Sequence, residues 1–330
     1  MPIPLKYAAC HTFRLGGTWS LNCQNFPAGR GGQVSKLRQS IIVPKGCKVV
    51  AADLSQVECR VCAWLCGQQD LLDIFQNNLD PMKPKIDPYA LLASDVFGFP
   101  VDRKVHTIEG FVGKEGVLSL QFRAGGPRFY ASVIRSGRKF KIDMVKLGEV
   151  WTEDKAQQTV DVYRRKNSKI RSAWYELDRL LKTVWADADG YYGPTPWGGP
   201  NGNAVVIGPG YVALPSELKM HYDVQNRDPN FDLSYRYGRE MHKIHGGVLL
   251  ENIVQATARV HAMNAALRLQ DYGLWFGGQE HDSLYFCVPE NDAENAAKLI
   301  LQELRRRPSW APSLPLDAEV KIGDNWAEVK

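Results

Sequence analysis

The sequence predicts an α+β protein in which one sheet domain carries a large helical subdomain emerging from it. Strand patterns stand near the start, in "CKVVAA", and again near the end, in "LWFGGQ", "SLYFCVP" and "AEVKIG". Between them the chain is predominantly helical in pattern, with no internal repeat or low-complexity tract that would indicate a solenoid. At 330 residues it can bury a substantial core and suits one large domain or two subdomains.

The elements follow in order. A loop-rich N-terminal segment leads to "CKVVAA", which is short, apolar and bounded by "PKG", as a buried strand is. Asp53 then stands at the carboxyl end of that strand. Ser55 and Glu58, three apart, have the spacing of a capping box, and "VECRVCAWLC" carries apolar residues at helical spacing until Gly67 stops it. Asp87 and Pro88 start a helix that Gly98 ends; another is expected from about Asp102 to Phe122, and more from about Glu153 to Ala188. The Gly- and Pro-rich "GYYGPTPWGGPNGNAVVIGPG", residues 190 to 210, predicts a turn-dense excursion. "IHGGVLLENIVQATARVHAMNAALRLQDYG" predicts a long helix, "EHD" the acidic turn of a β-hairpin, and the chain closes with a helix through Leu304 and a strand at "AEVKIG".

Composition excludes several classes. No stretch approaches the roughly 20 uninterrupted apolar residues of a membrane span, and "MPIPLKYAACHTFR" lacks the apolar core of a signal peptide, so a cytoplasmic protein is expected. Cys59, Cys62 and Cys66 stand at the spacing of one buried helix face; without a matching Cys or His pair elsewhere they read as reduced, buried thiols rather than metal ligands. The formal charge of +5 is unevenly spread. From Arg128 to Arg171 there are twelve Lys or Arg against five Asp or Glu, interleaved with Phe129, Tyr130, Phe140, Trp151 and Tyr163. Such a stretch serves either as a solvated helical face or as a surface that meets a polyanion, and the aromatic interleaving favours nucleic acid.

Two acids at strand termini carry the chemistry. Asp53 alone reads as an ordinary acid beside a helix N-terminus, and Asp282 alone as a turn residue. If strand and hairpin are neighbours in one sheet, both carboxylates project from one edge and can share divalent ions. Two hard cations about 4 Å apart are a known device for in-line phosphoryl or nucleotidyl transfer. Lys114, Leu118 and Phe122 fall at i, i+4 and i+8, so an ammonium, an aliphatic and an aromatic group share one helix face, which suits a triphosphate and a base. A plain amphipathic helix with a solvated Lys has the same pattern. Gly110, Gly113 and Gly116 on that helix each cost about 1 kcal/mol relative to Ala, which predicts a close approach there.

"ADLSQVECR", "GKEGVLSLQF" and "EHDSLYF" resemble motifs A, B and C of family-A, polymerase I-like DNA polymerases, specifically their bacteriophage members. "HTFRLGGTWSLNCQNFP", "ENIVQATAR" and "WAPSLPLDAEVKIGDNW" resemble further segments of the same family, in the same order over nearly the whole chain. The resemblance implies an antiparallel palm sheet with a helical fingers subdomain inserted between its strands: palm in residues 1–60 and 250–330, fingers and helical insertion in 61–249. It implies Asp53 and Asp282 as metal ligands, with the Leu54 carbonyl as a further oxygen, and two Mg²⁺ ions for which Mn²⁺ can substitute. Lys114 would contact the triphosphate of the incoming dNTP and Phe122 would guard the insertion site. Gln56, Tyr89 and Leu118 would complete the nucleotide site, and Glu58 would exclude a 2′-hydroxyl. Arg14, Asn22, Gln24, Asn25, Gln255 and His281 would hold the primer-template. The chain departs from the family pattern at Gly110, where an Arg is usual, at Phe122–Arg123 in place of Tyr-Gly, and at Ser283 in place of an acid, for which Glu280 is a candidate substitute.

The function expected from these residues is template-directed DNA synthesis on primer-template DNA. The resemblance includes neither an exonuclease domain nor a helical thumb, so the chain is expected to be the palm and fingers portion of a split phage replicative enzyme in the host cytoplasm. A second polypeptide would supply the missing functions. The alternative is a polymerase-derived nucleic-acid binding subunit that has lost or reduced catalysis.

Overall fold

A computed structural model describes residues 5–19, 21–26, 35–185, 192–226 and 233–329. The chain divides into two compact units: a sheet unit made of Met1–Glu58, Leu214–Met220 and Asn252–Lys330, and a helical unit made of Cys59–Ala213 and His221–Glu251. Antiparallel sheets and abundant helices make it an α+β protein.

The sheet unit is built on four antiparallel strands in the order Trp275–Glu280, Ser283–Pro289, Cys47–Leu54, Ala318–Gly323. Cys47–Leu54 is therefore an inner strand, paired with Ser283–Pro289 on one side and Ala318–Gly323 on the other. Its sequence explains that place: β-branched and small apolar residues dominate, and Val50, Ala52 and Leu54 are almost completely buried on one face. Alternation sends Val49, Ala51 and Asp53 to the other face. There Val49 and Ala51 join Cys23, Tyr285, Trp326 and Val329 in an apolar cluster, while Asp53, at the sheet's end, is exposed. The hairpin predicted around "EHD" is present, with His281 in the left-handed region at φ 53°. The long helix Gly246–Asp271 and the helix Ala293–Arg305 are joined where His261 Nε2 meets the Leu304 carbonyl at 2.9 Å and Arg268 pairs with Glu303 at 2.5 Å.

Sequence and structure differ at the start of the helix Val57–Cys66. Gln56 has φ 53°, so the residue after Ser55 is not helical and the Ser55–Glu58 capping-box register is not met. Cys59 and Cys62 on this helix are buried free thiols and Cys66 is a half-buried one.

In the helical unit, Pro88–Phe97 has the predicted limits: the Asp87 carboxylate accepts from the Tyr89 N–H at 2.9 Å, and Gly98 closes it at φ 81°. The next helix is shorter than predicted, Thr107–Leu120. Asp102 instead closes a turn, its carboxylate accepting from the Lys104 N–H at 2.8 Å and its own N–H donating to His106 Nδ1 at 3.0 Å. The close approach that the glycines predict is observed. A Cβ on Gly113 would meet the Tyr89 carbonyl, and one on Gly116 would lie 2.8 Å from Leu92 Cδ2, so Thr107–Leu120 lies almost backbone to backbone on Pro88–Phe97.

The helical stretch from Glu153 breaks at Asn167 into Glu153–Lys166 and Ser168–Leu180, followed by a π-helical turn, Leu181–Trp185; residues 186–188 of the predicted helix lie outside the described residues. Of the turn-dense segment, 190 and 191 also lie outside them, and the rest contains the antiparallel strands Thr195–Trp197 and Val205–Gly208. The Gly-Pro turns supply hairpin corners, and β-branched residues between them pair. Further short strands follow, Asp223–Asn226, Ser234–Tyr237 and Glu240–Lys243.

Candidate active site

The two aspartates are brought together by strand register. Asp53 lies opposite Ser283 on one neighbour and opposite Glu319 on the other. Asp282, in the two-residue turn before Ser283, presents its carbonyl to the Leu54 N–H at 3.4 Å. The backbones of Asp53–Leu54 and Asp282 therefore adjoin at one end of the sheet. Asp53 is exposed, and its carboxylate accepts a hydrogen bond from the Ser283 hydroxyl. Leu54, proposed from the sequence as a carbonyl ligand, is itself buried at 1% exposure.

Around this edge lie two cavities. One, of about 140 Å³, is bordered by Asp53 with Ser283, Glu319 and Lys321. The other, of about 160 Å³, is lined by Arg14, Glu58, Gln255, Arg259, His281 and Asp282 among others. Residues from four separate parts of the chain thus meet in the second cavity, five of them named from the sequence. The other predicted primer-template residues do not line either cavity. Asn22 caps a 3₁₀ turn through its side chain, Asn25 is exposed, and Gln24 is buried with its amide donating to the Gln279 carbonyl at 3.3 Å, which ties the N-terminal segment to the hairpin.

Glu280 does not replace the acid that Ser283 lacks. It is buried at 2% exposure, and its carboxylate accepts from Arg38 Nη1 at 2.8 Å, Arg38 Nη2 at 2.6 Å and the Tyr285 hydroxyl at 2.7 Å. Arg38 also donates to the Phe26 carbonyl, from Nη2 at 2.7 Å. Burial, reinforced by the neighbouring Glu280, pushes the Tyr285 phenol far above its ordinary value, so it stays a donor. The hydrogen bond to Glu280 raises Arg38 further and fixes it as a cation. The oxygens that Glu280 could offer an ion are taken up by this network.

In the helical unit, Lys114 is exposed on the helix Thr107–Leu120, with Leu118 half-buried on the same side. Phe122 falls past the helix end: its N–H reaches the Ser119 carbonyl at 3.3 Å in a turn, and the ring is half-buried. The i+8 extrapolation from Lys114 therefore fails at its last step. Tyr89 is buried at 7% exposure, its ring covered by the Arg103 guanidinium at 5.0 Å. The basic side chains between Arg128 and Arg171 are mostly exposed.

Gln56, at its left-handed φ, is half-buried at the junction of strand and helix. Sequence reasoning missed Arg259, Glu319 and Arg38. Arg259 was accessible to it, because Gln255, Ala258, Arg259 and Ala262 are spaced i, i+3, i+4, i+7 on one helix face.

Residues 8–108 match the model of DNA polymerase family A. A DNA polymerase of Bacillus phage SP02 is 26% identical over 308 residues, which cover 87% of this chain and 42% of that protein. Among other relatives, DNA polymerase I of Pseudomonas aeruginosa is 37% identical over 81 residues, 24% of this chain and 8% of that protein. The thermostable DNA polymerase I of Thermus aquaticus is 25% identical over 94% of this chain and 30% of that protein. The chain spans less than half the length of each of these relatives. A solved structure, the POL domain of Pol1 from M. smegmatis in complex with DNA primer-template and dNTP, superimposes with a TM-score of 0.64 at 20% identity. It covers 98% of this chain and 47% of that one, and the likeness shows a shared fold.

The donor set of the site suits a hard divalent ion in one respect. Among the described residues no group of three or more His, Cys, Asp or Glu is gathered for a metal, but Asp53 and Asp282 supply two carboxylates at adjoining backbones. Mg²⁺ is commonly held by one or two carboxylates with water and substrate phosphates completing its shell. No described helix is long and apolar enough to cross a membrane.

Proposed function

We propose that the chain carries out template-directed DNA synthesis, joining the α-phosphorus of a dNTP to a primer 3′-hydroxyl with release of pyrophosphate. The observation that carries this reading is the meeting of Asp53 and Asp282 at one sheet edge, beside a cavity holding Arg14, Glu58, Gln255 and His281, in a chain with family-A sequence. Asp53 and Asp282 would hold two Mg²⁺ ions, which when bound lower the pKa of the attacking hydroxyl and offset charge on the leaving group. Asp53 is kept oriented by the Ser283 hydroxyl, and Asp282 by a hairpin turn anchored through Gln24 and through the Arg38–Glu280 pair. Glu58 lies in the cavity with Asp282, where it would meet the sugar of the incoming nucleotide. Lys114, exposed on its helix, would meet the triphosphate. The mycobacterial structure of the same fold holds primer-template and dNTP, which supports DNA and dNTP as ligands of this chain.

The same reading assigns palm roles to the sheet unit and fingers roles to the helical unit. It includes a second polypeptide supplying duplex grip and proofreading to a phage replicase in the host cytoplasm. Primer extension in Mg²⁺ tests the core of it. The wild-type chain should extend a primer, and Asp53→Ala or Asp282→Ala should abolish extension while leaving the thermal melt in place; unchanged rates in both variants would overturn the assignment. The partner is tested by running the assay with and without the product of a neighbouring gene, and processive synthesis by the chain alone would remove the need for one.

A further inference from the structure

Arg259 is out of place for a helix core. It is 6% exposed on the long helix Gly246–Asp271, its Nε is buried without a hydrogen-bond partner, and among the described residues it forms no ion pair with a carboxylate. Arginine cannot shed its proton in a protein, so the charge remains however deeply it is placed. Tyr7 stands nearby, its ring 5.8 Å from the guanidinium carbon. Other buried arginines contrast with it: Arg38 is bidentate to Glu280. A buried guanidinium without a counter-ion is unfavourable, and it is tolerated where an anion arrives to pair with it.

The cavity supplies the place for that anion. Arg259 lines it together with Arg14, Glu58, His281 and Asp282, and the small Ala258 and Ala262 on the same helix also line it. Glu58 and Asp282 also border the cavity, but among the described residues neither forms an ion pair with Arg259, so its charge is left for a ligand to meet. A ligand that brings phosphate next to Asp282 is held by a fixed cation in the same cavity, and a planar guanidinium suits phosphate oxygens through paired N–H donors.

We infer that Arg259 is an anchor for a backbone phosphate of the nucleic-acid strand held beside Asp282, positioning that strand's end for reaction. This rests on the polymerase reading above. Gln255 and Arg259, one helical turn apart, would then hold one strand together, with the arginine gripping the phosphate. The ligand chemistry is phosphate, and the strand rather than the incoming triphosphate is its source.

The test is equilibrium binding of the full chain to a labelled primer-template without divalent metal, across a salt series, for wild type, Arg259→Lys and Arg259→Met. The Met variant should bind roughly ten-fold more weakly, with a slope of log affinity against log salt shallower by about 0.9. The Lys variant should keep most of the slope, while the KM for dNTP in primer extension stays unchanged. Thermal melts establish folding, and Arg259→Gln, which removes the charge but keeps a polar side chain, gives the same readout as Met if the Met variant does not fold. Equal affinity and slope in all three chains overturn the inference and leave the polymerase reading standing. A raised KM for dNTP with an unaltered salt slope also overturns it, because the anion would then be the triphosphate. A wild-type chain that binds no primer-template overturns both.

Discussion

Asp53 and Glu280 are two carboxylates close to one strand end with opposite fates, and their surroundings decide which. Asp53 is exposed and accepts from one hydroxyl, which leaves lone pairs for an ion. Glu280 is enclosed and accepts three hydrogen bonds from Arg38 and Tyr285. Removing one partner of such a buried pair strands the other charge, at a cost of about 3–5 kcal/mol. Arg38→Met should therefore lower unfolding free energy by about that much in urea titrations. Arg38→Met combined with Glu280→Gln should recover part of the loss, since no charge is left unpaired. A loss below about 1 kcal/mol in the single variant would mean that water reaches Glu280 and the pair is not closed.

At the scale of elements, the helices Pro88–Phe97 and Thr107–Leu120 show why local preference does not decide a residue. Ala favours a helix over Gly by about 1 kcal/mol. Yet Gly113 has the Tyr89 carbonyl and the Ala93 methyl where a Cβ would go, and neither is the far end of a flexible side chain. Gly113→Ala should thus lower stability by about 1–3 kcal/mol despite its higher propensity, because the two helices must separate. A melting temperature equal to or above that of the wild type would show that they can part without loss. Gly116, whose Cβ would meet a leucine methyl, should tolerate the same change better. The helix so held carries Lys114.

For the molecule as a whole, the sheet unit ties its last helix to the long helix through His261. Burial holds the His261 imidazole below its ordinary value, with the nearby Arg268 adding to the effect and the Leu304 carbonyl opposing it. The folded state therefore keeps His261 neutral where the unfolded chain protonates it. Stability is full above about pH 6.5 and falls as pH drops below that value, at up to about 1.4 kcal/mol per pH unit. His261→Gln should flatten this dependence between about pH 6.5 and the lowered folded-state pKa, measured by urea unfolding at about pH 7.5 and 5.5; an unchanged pH profile in the variant would place the effect elsewhere.

The sequence by itself determined the strand Cys47–Leu54 with an acid at its end, the acidic hairpin turn, the cap and stop of Pro88–Phe97, and the glycine-marked contact. Each of these is written in residues a few positions apart, where steric preference and hydrogen bonding act within one element. Tertiary structure alone decided that Gln24 buttresses the hairpin, that Glu280 is paired with Arg38, and that Arg259 opens into the cavity with Asp282. Arg38 and Glu280 lie 242 positions apart. Nothing local separates an acid that is already paired from one that stays open to an ion, because its partner is chosen by sheet register and by which helix face the packed core leaves toward the cavity.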